Sequence, residues 1–402
     1  MPENQFDVVI VGAGIVGLAT AMQTLRRFPG RRLAVLEKED RVAAHQSGHN
    51  SGVIHSGLYY KPGSLKAKMC VAGAAAMVAF CREHGLPHQI CGKVVVATSE
   101  RELPGLEELL RRGTANGVPG LAKIGQERLR ELEPHAAGVS ALHVPSTGIA
   151  DYVAVARKYA EIVQAAGGVI ATGTEVTAIS RRDGQGILET SRGEYRAPLV
   201  INCAGLYSDR ICRMAGAETD VRIVPFRGEY YELTPEKRSL VRGLIYPVPD
   251  PALPFLGVHF TRHVDGSVEA GPNAVLALRR EGYRKRDISL GELLDTLSWP
   301  GFWRMARRQW RSGAGEYYRS LIKTGFVKAL QKLLPEIGRE DLAPGGAGVR
   351  AQAVDRQGKL VDDFRFACSP GMVHVLNVPS PAATASLVIA REIVNMAERS
   401  GS

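Results

Sequence analysis

Apolar runs and an amphipathic run alternate at the start of the chain. Residues 6–11 are mostly apolar, a glycine-rich turn follows, residues 15–28 have the spacing of a helix, and residues 33–37 form a second apolar run. Two buried strands on either side of one helix, within ~30 residues, indicate a βαβ unit, since parallel strands need a right-handed crossover. The hydrophobic pattern therefore predicts that the chain begins as an α/β protein.

Similar patterns return later in the chain, separated by stretches of different character. Further α/β elements are predicted as helices at 152–166 and 382–397 and as strands at 169–171, 176–179, 199–203 and 373–377. The intervening stretches are strand-like at 92–98 and 221–233, favour antiparallel strands at 244–275, are helical and basic at 289–334, and favour a glycine-rich loop from 344.

These patterns predict a fold of the α/β plus α+β class, with a Rossmann-like dinucleotide-binding domain and an inserted antiparallel-sheet domain. The first domain is expected to be discontinuous, with residues 1–86, 148–218 and 340–402. The inserted domain is expected to comprise residues 87–147 and 219–339, including the basic helical segment 289–334. A chain of 402 residues is long enough for two such domains.

Composition and charge narrow the class of protein. Hydrophobic residues make up 45% and charged residues 23% of the chain, as in globular proteins, and no apolar run approaches the ~20 residues that span a bilayer. No secretory signal is recognisable, so we expect a cytoplasmic protein. The net charge of +10 favours anionic partners: an acidic substrate, a dinucleotide pyrophosphate or an anionic membrane surface. No nucleic-acid-binding motif is present, and nucleic acid is not predicted as a partner.

The cysteines do not indicate a metal site. The chain has six, scattered and without a C-x-x-C pair. Zinc sites and redox dithiols need closer spacing. We therefore expect reduced thiols and no metal.

A glycine-rich motif follows the first predicted strand. Gly12, Gly14 and Gly17 form G-x-G-x-x-G, with Ile15 and Val16 opening the helix, and the next strand ends on Glu37. In a dinucleotide site, these glycines allow a tight turn, backbone approach to the pyrophosphate, and close helix–strand packing. The helix N-terminus attracts phosphate, and a carboxylate at Glu37 suits ribose hydroxyls. The alternative is a glycine-rich turn without a ligand.

Two further segments have the composition of ligand loops. Residues 47–60 combine three glycines, three hydroxyls and two histidines, which suits contact with phosphate and ribityl oxygens. The tail adds a glycine-rich stretch at 345–350 and a helix start at 380–384, where a reduced flavin ring would find a positive dipole. The alternatives are a turn-rich surface loop and an ordinary capped helix.

Together these motifs resemble the D-amino-acid-oxidase-like FAD oxidoreductases and, among them, the L-2-hydroxyglutarate oxidase/dehydrogenase family. The matching segments are spread over most of the chain, at 45–60, 202–209, 225–231, 255–261, 271–274, 348–350 and 379–384. The resemblance implies a flavin-binding domain, a substrate domain with an antiparallel sheet, and a flavin ring at their interface. It also implies non-covalent FAD, because Cys368, the only cysteine in the tail, does not match the attachment cysteine of sarcosine oxidases.

The motifs and the resemblance together predict the residues that contact FAD. Val176 matches the position whose backbone meets the adenine. The predicted FAD-binding residues are Gly12, Gly14, Ile15, Val16, Gly17, Glu37, Lys38, Ser47, His49, Asn50, Ser51, Val176, Ala204, Gly205, Gly348, Val349, Arg350, Ser380, Ala382, Ala383 and Thr384.

The implied reaction is the oxidation of L-2-hydroxyglutarate to 2-oxoglutarate, and it needs a base and anchors for carboxylates. A base that is neutral near pH 7 favours histidine. His55 is the expected base, and His259 is expected to bind substrate or to exchange roles with it. Arg350 is the first choice as a carboxylate anchor, although it could instead pair with a structural carboxylate; Tyr60, Arg227, Tyr230 and Asn377 are further substrate-binding candidates.

Several alternatives stay open. The substrate could be another 2-hydroxy acid, an amino acid or glycerol-3-phosphate. The electron acceptor could be oxygen or a membrane quinone. The alternative from another class is a non-enzymatic, membrane-associated dinucleotide-binding protein.

Residues 302–332 interleave aromatic residues with basic ones and contain one acidic residue, Glu316. The basic residues are Arg304, Arg307, Arg308, Arg311, Arg319, Lys323, Lys328 and Lys332. This segment either packs on the core with a solvated basic face or lies on the inner face of the cytoplasmic membrane.

Overall fold

The structure is a computed structural model that describes residues 4–250 and 256–400. Phe255, the first residue of the matching segment 255–261, lies outside the described residues. The strands are β1 Val8–Val11, β2 Leu33–Leu36, β3 Val53–Ile54, β4 His88–Gln89, β5 Lys93–Ala97, β6 Ala122–Ile124, β7 Ser140–Val144, β8 Gly148–Ala150, β9 Val169–Ala171, β10 Val176–Arg182, β11 Gln185–Thr190, β12 Gly193–Ala197, β13 Leu199–Asn202, β14 Val221–Leu233, β15 Leu244–Pro247, β16 His259–Arg262, β17 Val268–Gly271, β18 Val275–Leu276, β19 Leu342–Asp355, β20 Arg365–Ser369 and β21 Met372–Asn377.

The helices confirm the predicted helical stretches and add others between them. They are α1 Ile15–Arg27, α2 Leu65–Glu83, α3 Leu103–Ala115, α4 Gln126–Leu132, α5 Tyr152–Ala165, α6 Ser208–Met214, α7 Leu290–Leu297, α8 Pro300–Leu321, α9 Lys323–Leu330 and α10 Ala382–Ser400. None of them, within the described ranges, is long and apolar enough to cross a bilayer.

The first sheet confirms the predicted βαβ start. Its strand order is β20-β21-β13-β1-β2-β9, and β1 pairs in parallel with both β2 and β13. All four residues of β1 and of β2 are buried, because α1, α5 and α10 cover one face and the small β10–β12 sheet and α6 cover the other. Burial on both faces explains why these strands appear in the sequence as unbroken apolar runs.

The second sheet is larger and mostly antiparallel, with strand order β18-β14-β17-β16-β15-β5-β7-β6. The long strand β14 also pairs with β19 over most of its length. The β15–β5 pair is parallel, which departs from the antiparallel sheet that was expected. One sheet is mostly parallel and the other mostly antiparallel, as predicted for the two domains, and the fold is the expected α/β plus α+β class. The exact domain boundaries stay a prediction, although β19 belongs to the second sheet.

The glycine-rich stretch at 345–350 lies within strand β19, so the expected loop is wrong. Its glycines allow close approach between backbones instead of a turn. A Cβ at Gly345 would come within 2.8 Å of the Tyr230 carbonyl oxygen, and one at Gly348 within 2.6 Å of the His49 carbonyl oxygen. Glycine is found within a strand where another backbone lies so close that there is no room for a side chain.

A buried ion network ties the two halves together. Arg280 is only 1% exposed, and its guanidinium lies 2.9 Å from the buried Asp209 of α6 and 2.9 Å from Asp295 of α7. Asp209 also accepts a hydrogen bond from the backbone N–H of Ile223 in β14. Since α6 packs against the first sheet and β14 belongs to the second, this network fixes the relative placement of the two sheets.

We predict that Arg280→Met lowers the free energy of unfolding by about 3–5 kcal/mol, because it leaves Asp209 buried without its main cation. Arg286→Met is the matched control, since Arg286 is exposed. The measurement is the guanidinium chloride midpoint of the two variants beside the wild type. Equal midpoints for both variants would show that the network does not stabilise the fold.

Candidate active site

A cavity of about 1330 Å³ lies between the two sheets. It is lined at the first sheet by the turn after β1 and the end of β2, and at the second sheet by β14, β16 and β19. Pockets for ordinary small ligands have volumes of roughly 300–1,000 Å³, so this cavity has room for a dinucleotide together with a small substrate.

The glycine motif has the geometry of a dinucleotide turn. Gly12 has φ of +104°, and a Cβ there would lie 2.6 Å from the Cys203 carbonyl oxygen. A Cβ at Gly17 would lie 2.0 Å from the Gly12 carbonyl oxygen, and Gly17 is not part of the cavity lining. Gly17 therefore allows α1 to pack against β1, and direct contact with a ligand falls to Gly12 and Gly14.

The N-terminus of α1 opens onto the cavity. Its first-turn N–H groups have no acceptor within the helix, and the N-cap residue, Gly14, has no side chain that could cap them. The Ser47 hydroxyl accepts a hydrogen bond of 2.8 Å from the Ile15 N–H. Its own proton stays available for an anion, so Ser47 and the helix dipole together suit a pyrophosphate.

Glu37 is buried at the end of β2 and lines the cavity. One carboxylate oxygen accepts from the Ala13 N–H at 2.8 Å and the other from the Glu39 N–H at 3.0 Å. Each oxygen retains a lone pair that can accept a ribose hydroxyl. A glycine turn, an open helix N-terminus and a fixed carboxylate thus fit the dinucleotide part of FAD.

The other predicted FAD-binding residues also line this cavity, from all three parts of the sequence that the motifs singled out. They are Ile15, Val16, Lys38, His49, Asn50, Ser51, Val176, Ala204, Gly205, Gly348, Val349, Arg350, Ser380, Ala382, Ala383 and Thr384.

Lys38 is also paired with two carboxylates: its ammonium lies 2.6 Å from Glu281 and contacts Glu39. The imidazole of His45 lies 2.9 Å from each of the same two carboxylates. The thiol of Cys368 is exposed on β20 and is not part of the lining.

His55 lies in the part of the cavity nearest α10. Its backbone N–H donates to the Thr384 hydroxyl at 3.1 Å, and its Nε2 is 3.2 Å from the Ser380 hydroxyl. Burial, reinforced by the positive charges of Lys93 and Arg350, lowers the pKa of His55 to about 3. The imidazole is therefore neutral at physiological pH, as a general base must be.

His259 is the second neutral histidine of the cavity. Its Nδ1 donates to the Gly257 carbonyl at 2.9 Å, and its ring stacks on Tyr246 with 3.9 Å between ring centroids. Burial lowers the pKa of His259 to about 4. Because a carbonyl can only accept, the proton sits on Nδ1, and Nε2 is left as the basic nitrogen.

Arg350 provides positive charge beside these histidines. It lies on β19, lines the cavity, and is opposite Phe226 in the β14–β19 pair. Burial lowers the pKa of its guanidinium, and Tyr230 and Tyr60 oppose that shift. Arginine stays protonated at neutral pH in spite of such shifts, so the cavity contains a fixed cation with two tyrosines close by.

Two predicted substrate-binding residues are engaged elsewhere. Arg227 is bonded to Glu229 and to the Arg284 carbonyl and is not part of the cavity lining. Tyr230 of the same strand does line the cavity, together with Phe226 and Gly228. Asn377 lines the cavity, but its side-chain amide is hydrogen-bonded to the backbone of residues 353, 361 and 363.

Residues that the sequence reasoning missed also line the site, above all Lys66 and Tyr246. Lys66 carried a local signal. It occupies the second position of α2, and a cation is unfavourable at the positive end of a helix. Tyr246 carried none, because its contact with His259 depends on pairing between β15 and β16.

The fold and the cavity define a dinucleotide-dependent oxidoreductase, with a phosphate-binding turn and neutral bases in one chamber. The sequence profile described as FAD dependent oxidoreductase matches residues 7–396. The chain belongs to this FAD-dependent oxidoreductase family, and FAD is its cofactor.

Individual relatives are similar over nearly the whole chain. An L-2-hydroxyglutarate dehydrogenase of Indibacter alkaliphilus is 54% identical, with 96% of each chain covered. The mitochondrial L-2-hydroxyglutarate dehydrogenase of Homo sapiens is 48% identical, with 98% of this chain and 88% of the relative covered. Among solved structures, an FAD-bound L-alpha-glycerophosphate oxidase of Mycoplasma pneumoniae matches with a TM-score of 0.80 and 25% identity, over 98% of this chain and 95% of the other.

We predict that Glu37→Gln weakens FAD binding at least ~10-fold, because a charged acceptor of ribose hydroxyls is lost. The measurement is reconstitution of apoprotein with FAD, followed by the flavin absorbance. Glu189→Gln is the control, since Glu189 is exposed on β11 and does not line the cavity. If the Glu37 variant binds FAD like wild type, the carboxylate does not contact the ribose.

Proposed function

We propose that this protein oxidises L-2-hydroxyglutarate to 2-oxoglutarate, with FAD as the hydride acceptor. The proposal rests on one observation above all: two neutral histidines and Arg350 line the same cavity as the dinucleotide turn. The names of the most similar relatives support the choice of substrate.

Oxidation at C2 requires removal of a hydride from carbon and of a proton from the hydroxyl. FAD supplies the acceptor for the hydride when it is bound. His55 takes the hydroxyl proton as general base, and His259 binds the substrate or exchanges roles with it. Arg350 pairs with the carboxylate next to C2, and Tyr60 and Tyr230 orient the substrate by hydrogen bonds. Thr384 holds the backbone of His55 in place.

The pKa directions predict the pH dependence of this step. A histidine with a lowered pKa keeps its basic form above that pKa and loses it only as the pH falls through it. With pKa values of about 3 and about 4, both histidines stay basic throughout the neutral range.

Other substrates are separated from L-2-hydroxyglutarate by anaerobic bleaching of the flavin. L-2-hydroxyglutarate should bleach it faster than other 2-hydroxy acids, amino acids or glycerol-3-phosphate. No bleaching by any of these compounds would favour a non-enzymatic dinucleotide-binding protein. The reduced flavin passes its electrons to oxygen or to a membrane quinone, and anaerobic reoxidation by a soluble quinone analogue compared with oxygen decides between them.

We further propose that the segment 302–332, which comprises most of α8 and all of α9, lies on an anionic membrane surface. Part of the basic helical segment packs on the core through Trp299, Phe302 and Met305. Other apolar side chains are solvent-exposed, including Trp310 at 62% and Leu321 at 75%. Exposed aromatic residues among cations suit an interfacial helix, with each cation contributing about 1 kcal/mol near anionic lipid.

We predict that His55→Ala slows flavin reduction by L-2-hydroxyglutarate about 10²–10⁴-fold, because the general base is lost. His259→Ala should slow it less if His259 only binds substrate. The measurement is anaerobic stopped-flow absorbance on variants that retain FAD. Rates within a few-fold of wild type for both variants would rule out both histidines as the base.

We predict that anionic vesicles retain the wild type at low salt, and that Trp310→Ser with Leu321→Ser abolishes retention. The matched control is Val139→Ser with Val264→Ser, two exposed apolar residues elsewhere on the surface. Vesicle flotation at low and high ionic strength measures both. A wild type that does not float at low salt contradicts the membrane proposal.

A further inference from the structure

A second, smaller chamber adjoins the part of the cavity that contains Arg350. Its volume is about 210 Å³, and its polar lining comes from Lys66, Arg350, Gln352, Asp362 and Ser380. Lys66, Arg350, Asp362 and Ser380 line the large cavity as well. The two spaces therefore share one wall, and that wall contains two cationic side chains.

Lys66 is a buried cation with a weak partner. Its side chain is 9% exposed, and its ammonium lies 3.0 Å from the carboxylate of Asp362, whose side chain is 88% exposed. The ammonium also lies 5.6 Å from the centroid of the Tyr60 ring. An exposed carboxylate is well solvated and gains little from an ion pair, so Asp362 can be replaced by another anion at small cost.

The position of Lys66 in the fold does not favour stability. It follows the N-cap Ser64 by two residues, at the positive end of α2. Asp363 compensates locally by accepting hydrogen bonds from the N–H groups of Leu65 and Lys66. Burial lowers the pKa of the ammonium, with Asp362 opposing that shift. Burial and the positive end of the helix both make a cation unfavourable at this position. A role in ligand binding therefore explains Lys66 better than a role in stabilising the fold.

The proposed substrate has two carboxylates and therefore needs two anchors. Arg350 takes the one next to the reacting carbon under the proposed function. We infer that Lys66 binds the second carboxylate of the substrate, in the chamber shared with Arg350, and thereby selects a dicarboxylate over a monocarboxylate. This inference rests on the proposed function. Lys93, another buried cation, is not part of either lining and is therefore not a second anchor.

Asp362 has a distinct role in this arrangement. It neutralises Lys66 in the absence of substrate, and the incoming carboxylate displaces it. Because Asp362 is exposed, it can move into solvent when displaced. Removal of its charge should therefore strengthen dicarboxylate binding, which is the opposite sign to removal of the Lys66 charge.

The test uses FAD-loaded wild type, Lys66→Met, Lys66→Arg, Asp362→Asn and the control Lys68→Met, whose lysine is exposed on the same helix. Binding of unreactive glutarate is measured by calorimetry. Flavin reduction is measured with L-2-hydroxyglutarate and with L-2-hydroxyvalerate, in which a methyl group replaces the second carboxylate. Retained flavin in each variant shows that the protein is folded.

For Lys66→Met, we expect glutarate and L-2-hydroxyglutarate to bind about 10- to 100-fold more weakly, with L-2-hydroxyvalerate little changed. Lys66→Arg should restore most of the affinity, Lys68→Met should change nothing, and Asp362→Asn should tighten dicarboxylate binding by about two- to fivefold. If Lys66→Met binds glutarate as wild type does, or loses both substrates equally, the inference is wrong while the proposed function stands. If the wild type does not oxidise L-2-hydroxyglutarate, the proposed function fails, and the inference fails with it.

Discussion

The pairing of β14 with β19 is the constraint on which the site depends. These strands pair Phe226 with Arg350 and Gly228 with Gly348, so that one face of a long ribbon forms a wall of the cavity. Gly348 allows the ribbon to lie against the His49 backbone, where a Cβ would come within 2.6 Å of a carbonyl oxygen. The register of this ribbon thus decides which cation lines the cavity and how closely the two sheets approach.

Local patterns were sufficient for the dinucleotide half of the protein. The first strand, the turn, the helix and Glu37 lie within one stretch of sequence, and their geometry follows from glycine sterics and helix dipoles. The same reasoning failed at 345–350, because glycine clusters suit both turns and strands that touch another backbone. Arg227, a substrate-binding candidate from the resemblance, lies away from the cavity and against Glu229.

The substrate end could not be predicted to the same depth, because its contacts join residues distant in sequence. Lys66 and Asp362 are 296 positions apart, and Thr384 and His55 are 329 apart. Asn377 illustrates the limit from the other side. It was a substrate-binding candidate and does line the cavity, yet its amide donates to the backbone carbonyls of Val361 and Asp363.

Burial and the positive charges near His55 and His259 together explain why both histidines stay unprotonated. Lys93 is buried on β5, with its ammonium 4.5 Å from the Tyr59 ring centroid and 5.0 Å from that of Tyr246. Its charge and that of Arg350 act on both histidines and lower their pKa values further than burial alone. Arg350, the proposed anchor for a substrate carboxylate, therefore also disfavours protonation of the two histidines. Under the proposed function, a dianionic substrate would offset this positive potential and raise the proton affinity of the histidines when one of them accepts the hydroxyl proton.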